Sequence, residues 1–258
     1  MQSIEQRGAA AFVAEFLGTA ILVFFITMVV VLFITPPTPQ GPGLPPTQPF
    51  IDWSVIGLVH VFVLFMLIQT LAVICGAHFN PAITVALAVI RQIRPVDAAI
   101  YILCQLGGAV VGALITKGLL NDEGSALHYG APSTGGGRLD PHTTWLGFCA
   151  EGLGAFFLVF AVVGVAVSPQ GLKDWSGWVI GGTLGLVVMI IGPLTGAGIN
   201  PARAFGPALV GHHFGGLGHF LVVYALGPIV GGVLAAVVYH YLFILPGKKG
   251  PLGMEPVG

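Results

Sequence analysis

The sequence predicts an all-α membrane protein, with six crossing helices and two re-entrant half-helices arranged as an inverted repeat. Three observations predict it. The chain is 55% hydrophobic and only 7% charged, with a mean hydropathy of +0.95, whereas soluble domains carry about 25% charged residues. An Asn-Pro-Ala triplet occurs twice, as Asn80-Pro81-Ala82 and Asn200-Pro201-Ala202. Each triplet opens a short apolar run, 82–90 and 202–210. These runs are about half the roughly 20 residues that a crossing helix takes.

The elements follow in order. Spans are expected near 11–34, 54–74, 96–118, 144–167, 176–193 and 217–243. The first carries Ala14-Glu15-Phe16-Leu17-Gly18, and Glu15 interrupts its apolar run. No basic region followed by a cleavage site precedes it, so it reads as a retained helix. The proline-rich segment Pro36–Pro49 is too constrained for a helix and reads as a loop. The second span ends in Gly76-Ala77-His78-Phe79, ahead of the first triplet, and the third opens around Tyr101 and Gln105. The glycine-rich stretch from Gly124 to Gly137 joins the halves. The fourth span repeats the first as Ala150-Glu151-Gly152-Leu153-Gly154. Gly196-Ala197-Gly198-Ile199 then leads into the second triplet, and the last span repeats the third from Tyr224 to Gly231. One domain, 1–258, thus holds repeats at about 10–120 and 144–243. Three spans per repeat make the second copy inverted. With both termini inside, Arg7, Arg91, Arg94, Lys173, Lys248 and Lys249 face the cytoplasm, while Lys117 and Arg138 lie outside.

Proline just inside a helix start loses no hydrogen bond, because that N–H has no helical partner. Asparagine before it suits the cap. In an inverted repeat the half-helix N-termini meet near the midplane, with positive dipole ends facing one point. The Asn80 and Asn200 amides then donate into a shared lumen, a setting that repels cations and binds neutral polar molecules. The carboxylates Glu15 and Glu151 are too costly in hydrocarbon to be passive. They are expected to accept hydrogen bonds from the loop before each half-helix, with His78 among the donors, and Gln105 reads as a similar anchor. Gly18, Gly108, Gly154 and Gly231 read as close-packing positions between helices.

Other classes fit less well. A net charge of -1 argues against nucleic acid. No nucleophile, base and orienting group fall together as an enzyme needs. Neither a cofactor nor a metal is expected. His212, His213 and His219 cluster after the second half-helix without a carboxylate or cysteine nearby, which reads as a solvated vestibule. His128 and His142 lie in the central loop. Cys75, Cys104 and Cys149 read as helix-packing residues. A secondary transporter would need an ion site, for which Glu15 and Glu151 are the candidates. A closed structural membrane protein is the third class, and intact Asn80, Asn200 and Arg203 favour an open pore.

The two triplets, the Ala-Glu-Phe-Leu-Gly-Thr opening, His78 and Arg203 together resemble the aquaporins of the major intrinsic protein family, over roughly residues 10–243. The resemblance implies a six-helix right-handed bundle, one pore per subunit, a homotetramer in the bilayer, and water as the permeant. It also implies a filter of four positions, which map to His60, Val188, Ala197 and Arg203. A histidine from the second span is similar to the plant tonoplast intrinsic proteins. Paired with the small apolar Val188 and Ala197, it implies a wider filter passing water and small neutral solutes such as ammonia, hydrogen peroxide and urea. Glycerol channels of the family carry an acidic and a basic residue where this chain has Ala204 and Ala208. Ala197 stands where many members carry a mercury-reactive cysteine. The short tails and the segment around Lys173 lack a phosphorylation-gated segment of the kind seen in plasma-membrane plant aquaporins, so gating is not expected from them.

Overall fold

Nine helices organise the described chain, and their residue chemistry explains where each begins and ends. They are α1 (Ala9–Leu32), α2 (Trp53–Cys75), α3 (Pro81–Val89), α4 (Pro95–Leu119), α5 (Asn121–Ala126), α6 (Thr144–Val167), α7 (Ser176–Thr195), α8 (Pro201–Val210) and α9 (Leu217–Ile244). The computed structural model describes residues 8–35, 41–42, 50–134, 138–139 and 144–248. Arg7, His142, Lys249 and most of the Pro36–Pro49 segment lie outside the described residues. Six helices, α1, α2, α4, α6, α7 and α9, are long and apolar enough to cross a membrane, with α7 joined to the short turn that precedes it.

The Asp52 carboxylate caps α2 by accepting from the Ser54 and Val55 N–H groups, each at 3.1 Å. Pro95 opens α4, where Arg94 Nε lies 2.6 Å from Asp97 Oδ2. Left-handed Gly76 (φ 87°) ends α2 and left-handed Gly196 (φ 78°) ends α7, a conformation that favours glycine. The residues flanking the proline-rich segment form a two-stranded antiparallel pair, β1 (Ile34–Thr35) with β2 (Phe50–Ile51). In α6 the last turn, Val163–Val167, is π-helical, and α9 contains π-helical turns at Leu221–Leu226 and His240–Ile244.

The same contacts recur in both halves. α1 packs on α4 as α6 packs on α9, and α1 lies beside α2 as α6 lies beside α7. Each short helix rests on the opposite half: α8 on α4, and α3 on α9. α2 packs on α7 across the seam. Glycines make the close approaches possible. A Cβ at Gly108 would overlap the Phe16 carbonyl and one at Gly231 the Gly152 carbonyl, while Gly18 and Gly154 leave space for the Phe79 and Ile199 side chains. Leu17, Leu103, Leu153, Phe157, Leu186 and Leu234 point outward and exposed, as a lipid-facing belt requires.

Candidate functional site

The loops ahead of α3 and α8 set the geometry. Ala77 (φ 53°), Phe79 (φ 47°), Ala197 (φ 50°) and Ile199 (φ 56°) all occupy the left-handed region, at about 1–3 kcal/mol each. Two carboxylates hold them there. Glu15 Oε1 accepts from the His78 N–H and Oε2 from the Phe79 N–H, both at 2.8 Å. Glu151 Oε1 accepts from the Gly198 N–H at 2.8 Å, and Oε2 accepts from the Ile199 N–H. Both carboxylates are completely buried. The tyrosines of the last helix in each half add a matching bond. Tyr101 Oη donates to the Cys75 carbonyl and Tyr224 Oη to the Thr195 carbonyl, each at 2.7 Å.

The triplets then meet tip to tip. Asn80 Oδ1 accepts from the Ala82 N–H at 2.8 Å, and Asn200 Oδ1 accepts from Ala202 and Arg203 N–H at 3.0 and 3.3 Å. Each carboxamide nitrogen crosses to the other half. Asn80 Nδ2 donates to the Ile199 carbonyl at 3.4 Å, and Asn200 Nδ2 to the Phe79 carbonyl at 2.8 Å. Both asparagines also line the lumen, so the two amides serve the junction between the halves as well as the passage. A carboxamide nitrogen has two protons, and one on each asparagine ties the half-helices together.

A narrow lumen of about 80 Å³ passes this junction, and a vestibule of about 660 Å³ opens above Arg203. His60, His78, Asn80, Asn200 and Arg203 supply most of the lumen's polar side chains, set among Leu22, Ile26, Leu64, Leu158 and Leu184. Arg203 is 3% exposed and lines both spaces. Its Nη1 donates to the Gly130 carbonyl at 3.1 Å, while its Nε has no partner among the described residues. His60 Nδ1 lies 2.7 Å from the Ile56 carbonyl. A carbonyl can only accept, so Nδ1 carries the proton and the neutral ring's Nε2 is an acceptor. Beside donating Arg203 it gives the lumen one group of each kind.

Of the four filter positions, His60, Ala197 and Arg203 line the lumen; Val188 is buried on α7, one turn after Leu184, which also lines it. Gln105 does not anchor loop backbone as expected: its Nε2 donates to Glu15 Oε2 and Thr84 Oγ1, at 2.8 and 2.9 Å. His78 Nδ1 lies 3.2 Å from that same Thr84 hydroxyl. Cys75, Cys104 and Cys149 are not among the lining residues. The histidines after α8 separate. His219 reaches Thr134 and Thr144 with its two ring nitrogens, at 3.1 and 3.0 Å, while His213 stacks on His128. Among the described residues no group of three potential ligands could hold a metal. Thr84 and Gly130 went unread in the sequence, and Tyr101 was read only as part of the repeat, without its bond to the loop. Only Tyr101 left a signal, by its recurrence as Tyr224.

An inverted bundle with a polar file through its axis defines a membrane pore. The chain belongs to the major intrinsic protein family, whose model matches residues 2–239. It is 36% identical over 241 residues to "Aquaporin AqpM" of Methanothermobacter thermautotrophicus, covering 89% of this chain and 96% of that one. It is 34% identical over 227 residues to "Glycerol uptake facilitator protein-like 6" of Lactiplantibacillus plantarum, covering 87% and 94%. The fold matches the X-ray structure of the aquaglyceroporin from Plasmodium falciparum with a TM-score of 0.73 at 23% identity, over 93% of this chain and 98% of that one.

Proposed function

We propose that the protein is a passive water channel that also admits ammonia, hydrogen peroxide and urea and rejects protons and ions. The observation that carries this reading is the meeting of two half-helix N-termini in the lumen, with Asn80 and Asn200 at the tips and Arg203 beside them. Positive dipole ends and a guanidinium disfavour cations. The narrow passage strips the hydration shell that an ion needs. A neutral molecule exchanges water for the asparagine amides, His60 Nε2 and Arg203 Nε. The His60–Ala197–Arg203 arrangement, with the apolar Val188 and lumen-lining Leu184 on α7, supports a filter resembling those of tonoplast intrinsic proteins. Both termini are assigned to the cytoplasm, which puts the Arg203 vestibule outside, and the channel works as a homotetramer in the bilayer.

Glycerol facilitation is the second reading, favoured by the printed name of one relative. Against it, Ala204 and Ala208 are fully buried against Phe220, Val223 and Tyr224, which leaves no space there for an acidic and a basic side chain. Stopped-flow light scattering on proteoliposomes separates the readings. Fast shrinkage in sucrose, then accelerated re-swelling in urea but not glycerol, is expected. His60→Phe should slow urea entry while sparing water. Unchanged solute selectivity in that variant would overturn the filter assignment.

A further inference from the structure

The turn His128–Gly130 holds three consecutive residues in the left-handed region, at φ 49°, 50° and 75°. Non-glycine residues stay there only where their surroundings enforce it. Tyr129 is buried, its ring against Gly124 and its hydroxyl 3.3 Å from the Asn121 carbonyl. The second restraint is the His128 ring, stacked on His213 with centroids 3.8 Å apart and planes 4° from parallel. His213 belongs to the turn that ends α8, where its N–H donates to the Ala208 carbonyl at 2.9 Å. Gly211 of that turn packs on the His128 carbonyl. The stack therefore joins two parts that both determine Arg203. One is the turn whose Gly130 carbonyl accepts from its guanidinium; the other is the end of the helix that carries it.

We propose that the His128–His213 stack is a pH-released clamp on Arg203: protonation from the vestibule parts the rings, the Gly130 carbonyl moves away, and the freed guanidinium narrows the lumen. His128 and His213 are thereby positioning residues acting through Gly130 and Arg203, and their role rests on the channel reading above. Two imidazolium rings at stacking distance repel, and the vestibule sets no carboxylate of the described residues beside them. The vestibule's other charged lining groups are Arg138 and Arg203, and no carboxylate lines it among the described residues. On the elements packed around the turn stand Lys117, over the Tyr129 ring at 5.6 Å on α4, Asp122 and Glu123 on α5, and His212 beside His213. The parallel ring planes aim their nitrogen lone pairs side by side and not at one point, so the pair is unsuited to chelating a metal.

Burial, then the neighbouring His128, holds the His213 imidazole below its ordinary 6.5. With the folded-state value lowered, the neutral stacked form is secure above 6.5 and is lost as pH falls from 6.5 through that lower value. Proteoliposomes with equal pH on both sides test this by osmotic shrinkage at about pH 7.5 and about pH 5.5. The expected result is a fall of at least about threefold on acidification, absent in His213→Phe and His128→Phe. Both substitutions keep a ring in the stack and should match the unsubstituted channel at the higher pH. A flat profile in the unsubstituted channel would overturn the clamp. So would an equal fall in both variants, which would move the titration to His60 or His78. Histidine NMR in detergent gives a reading independent of flux. Coupled two-step titration of the pair, reduced to one step in either variant, is expected. That titration in a protein without water permeability would count against the channel reading and not the pairing; two independent single-step titrations would overturn the pairing.

Discussion

In the first half of the molecule, Glu15 accepts from the His78 and Phe79 N–H groups and from the Gln105 amide. In the second half, Glu151 accepts from the Gly198 and Ile199 N–H groups and from the Thr195 hydroxyl at 2.5 Å. The backbone frames match, down to the left-handed residues and the tyrosine bonds, but the polar side chains are distributed differently. His78, Thr84 and Gln105 of the first half correspond to Gly198, Ala204 and Pro228 of the second, and Ile83 corresponds to Arg203. The first half therefore places Gln105 and Thr84 behind the loop, bracing it, while His60 and His78 face the lumen. The second braces its loop with one hydroxyl and places its guanidinium in the lumen. The two copies share the frame, while the first carries the heavier side-chain bracing and the second the lumen's guanidinium.

That asymmetry can be broken residue by residue. The largest effect is expected from Glu151→Ala, which strands the Thr195 hydroxyl and two loop N–H groups at about 1–3 kcal/mol each. Glu15→Ala should be milder, because the Gln105 carboxamide, bonded to Glu15 through Nε2 and with an Oε1 that has no partner among the described residues, can re-pair there, while Pro228 offers nothing comparable. Thermal unfolding in detergent compares the two, and equal losses would remove the distinction. Next comes Gly231→Ala, where the obstruction is the Gly152 backbone, against Gly18→Ala, where it is the Phe79 side chain. Overpacking of this kind costs about 1–3 kcal/mol, and the backbone case should be the more damaging by the same assay. Arg203→Val, which gives the second half a side chain like that of Ile83, should raise urea entry by about tenfold, roughly 1.4 kcal/mol of barrier, while water flux changes little. Smallest of all, Cys75→Thr imports the second half's residue and should shift stability by less than about 1.5 kcal/mol. Mercuric chloride should leave water flux nearly unaltered, because Cys75, Cys104 and Cys149 stand outside the lumen lining. Strong inhibition would place one of them in it.

Much of this was legible in the sequence because duplication prints local motifs twice. The six spans, both half-helices and the two buried carboxylates follow from apolar length, from Asn-Pro-Ala, and from a Glu in each opening span. Contacts between distant segments left no such print. The crossed bonds of Asn80 and Asn200 depend on two loops converging from opposite ends of the bundle, over 119 and 121 residues of chain. The Gly130 carbonyl that holds Arg203 comes from a connecting segment that reads only as glycine-rich. Leu184 of α7, which also lines the lumen, belongs to no motif, and nothing local in the sequence singles it out from its apolar neighbours.

The most direct measurement records water and proton flux on the same proteoliposomes, with osmotic shrinkage beside the decay of an entrapped pH indicator under a valinomycin-imposed potential. A lumen with two half-helix tips, two asparagines and Arg203 at its centre should give shrinkage well above empty vesicles, with proton entry at the empty-vesicle rate. Proton entry rising in step with water permeability would contradict the central claim that the paired tips pass neutral molecules and stop charge.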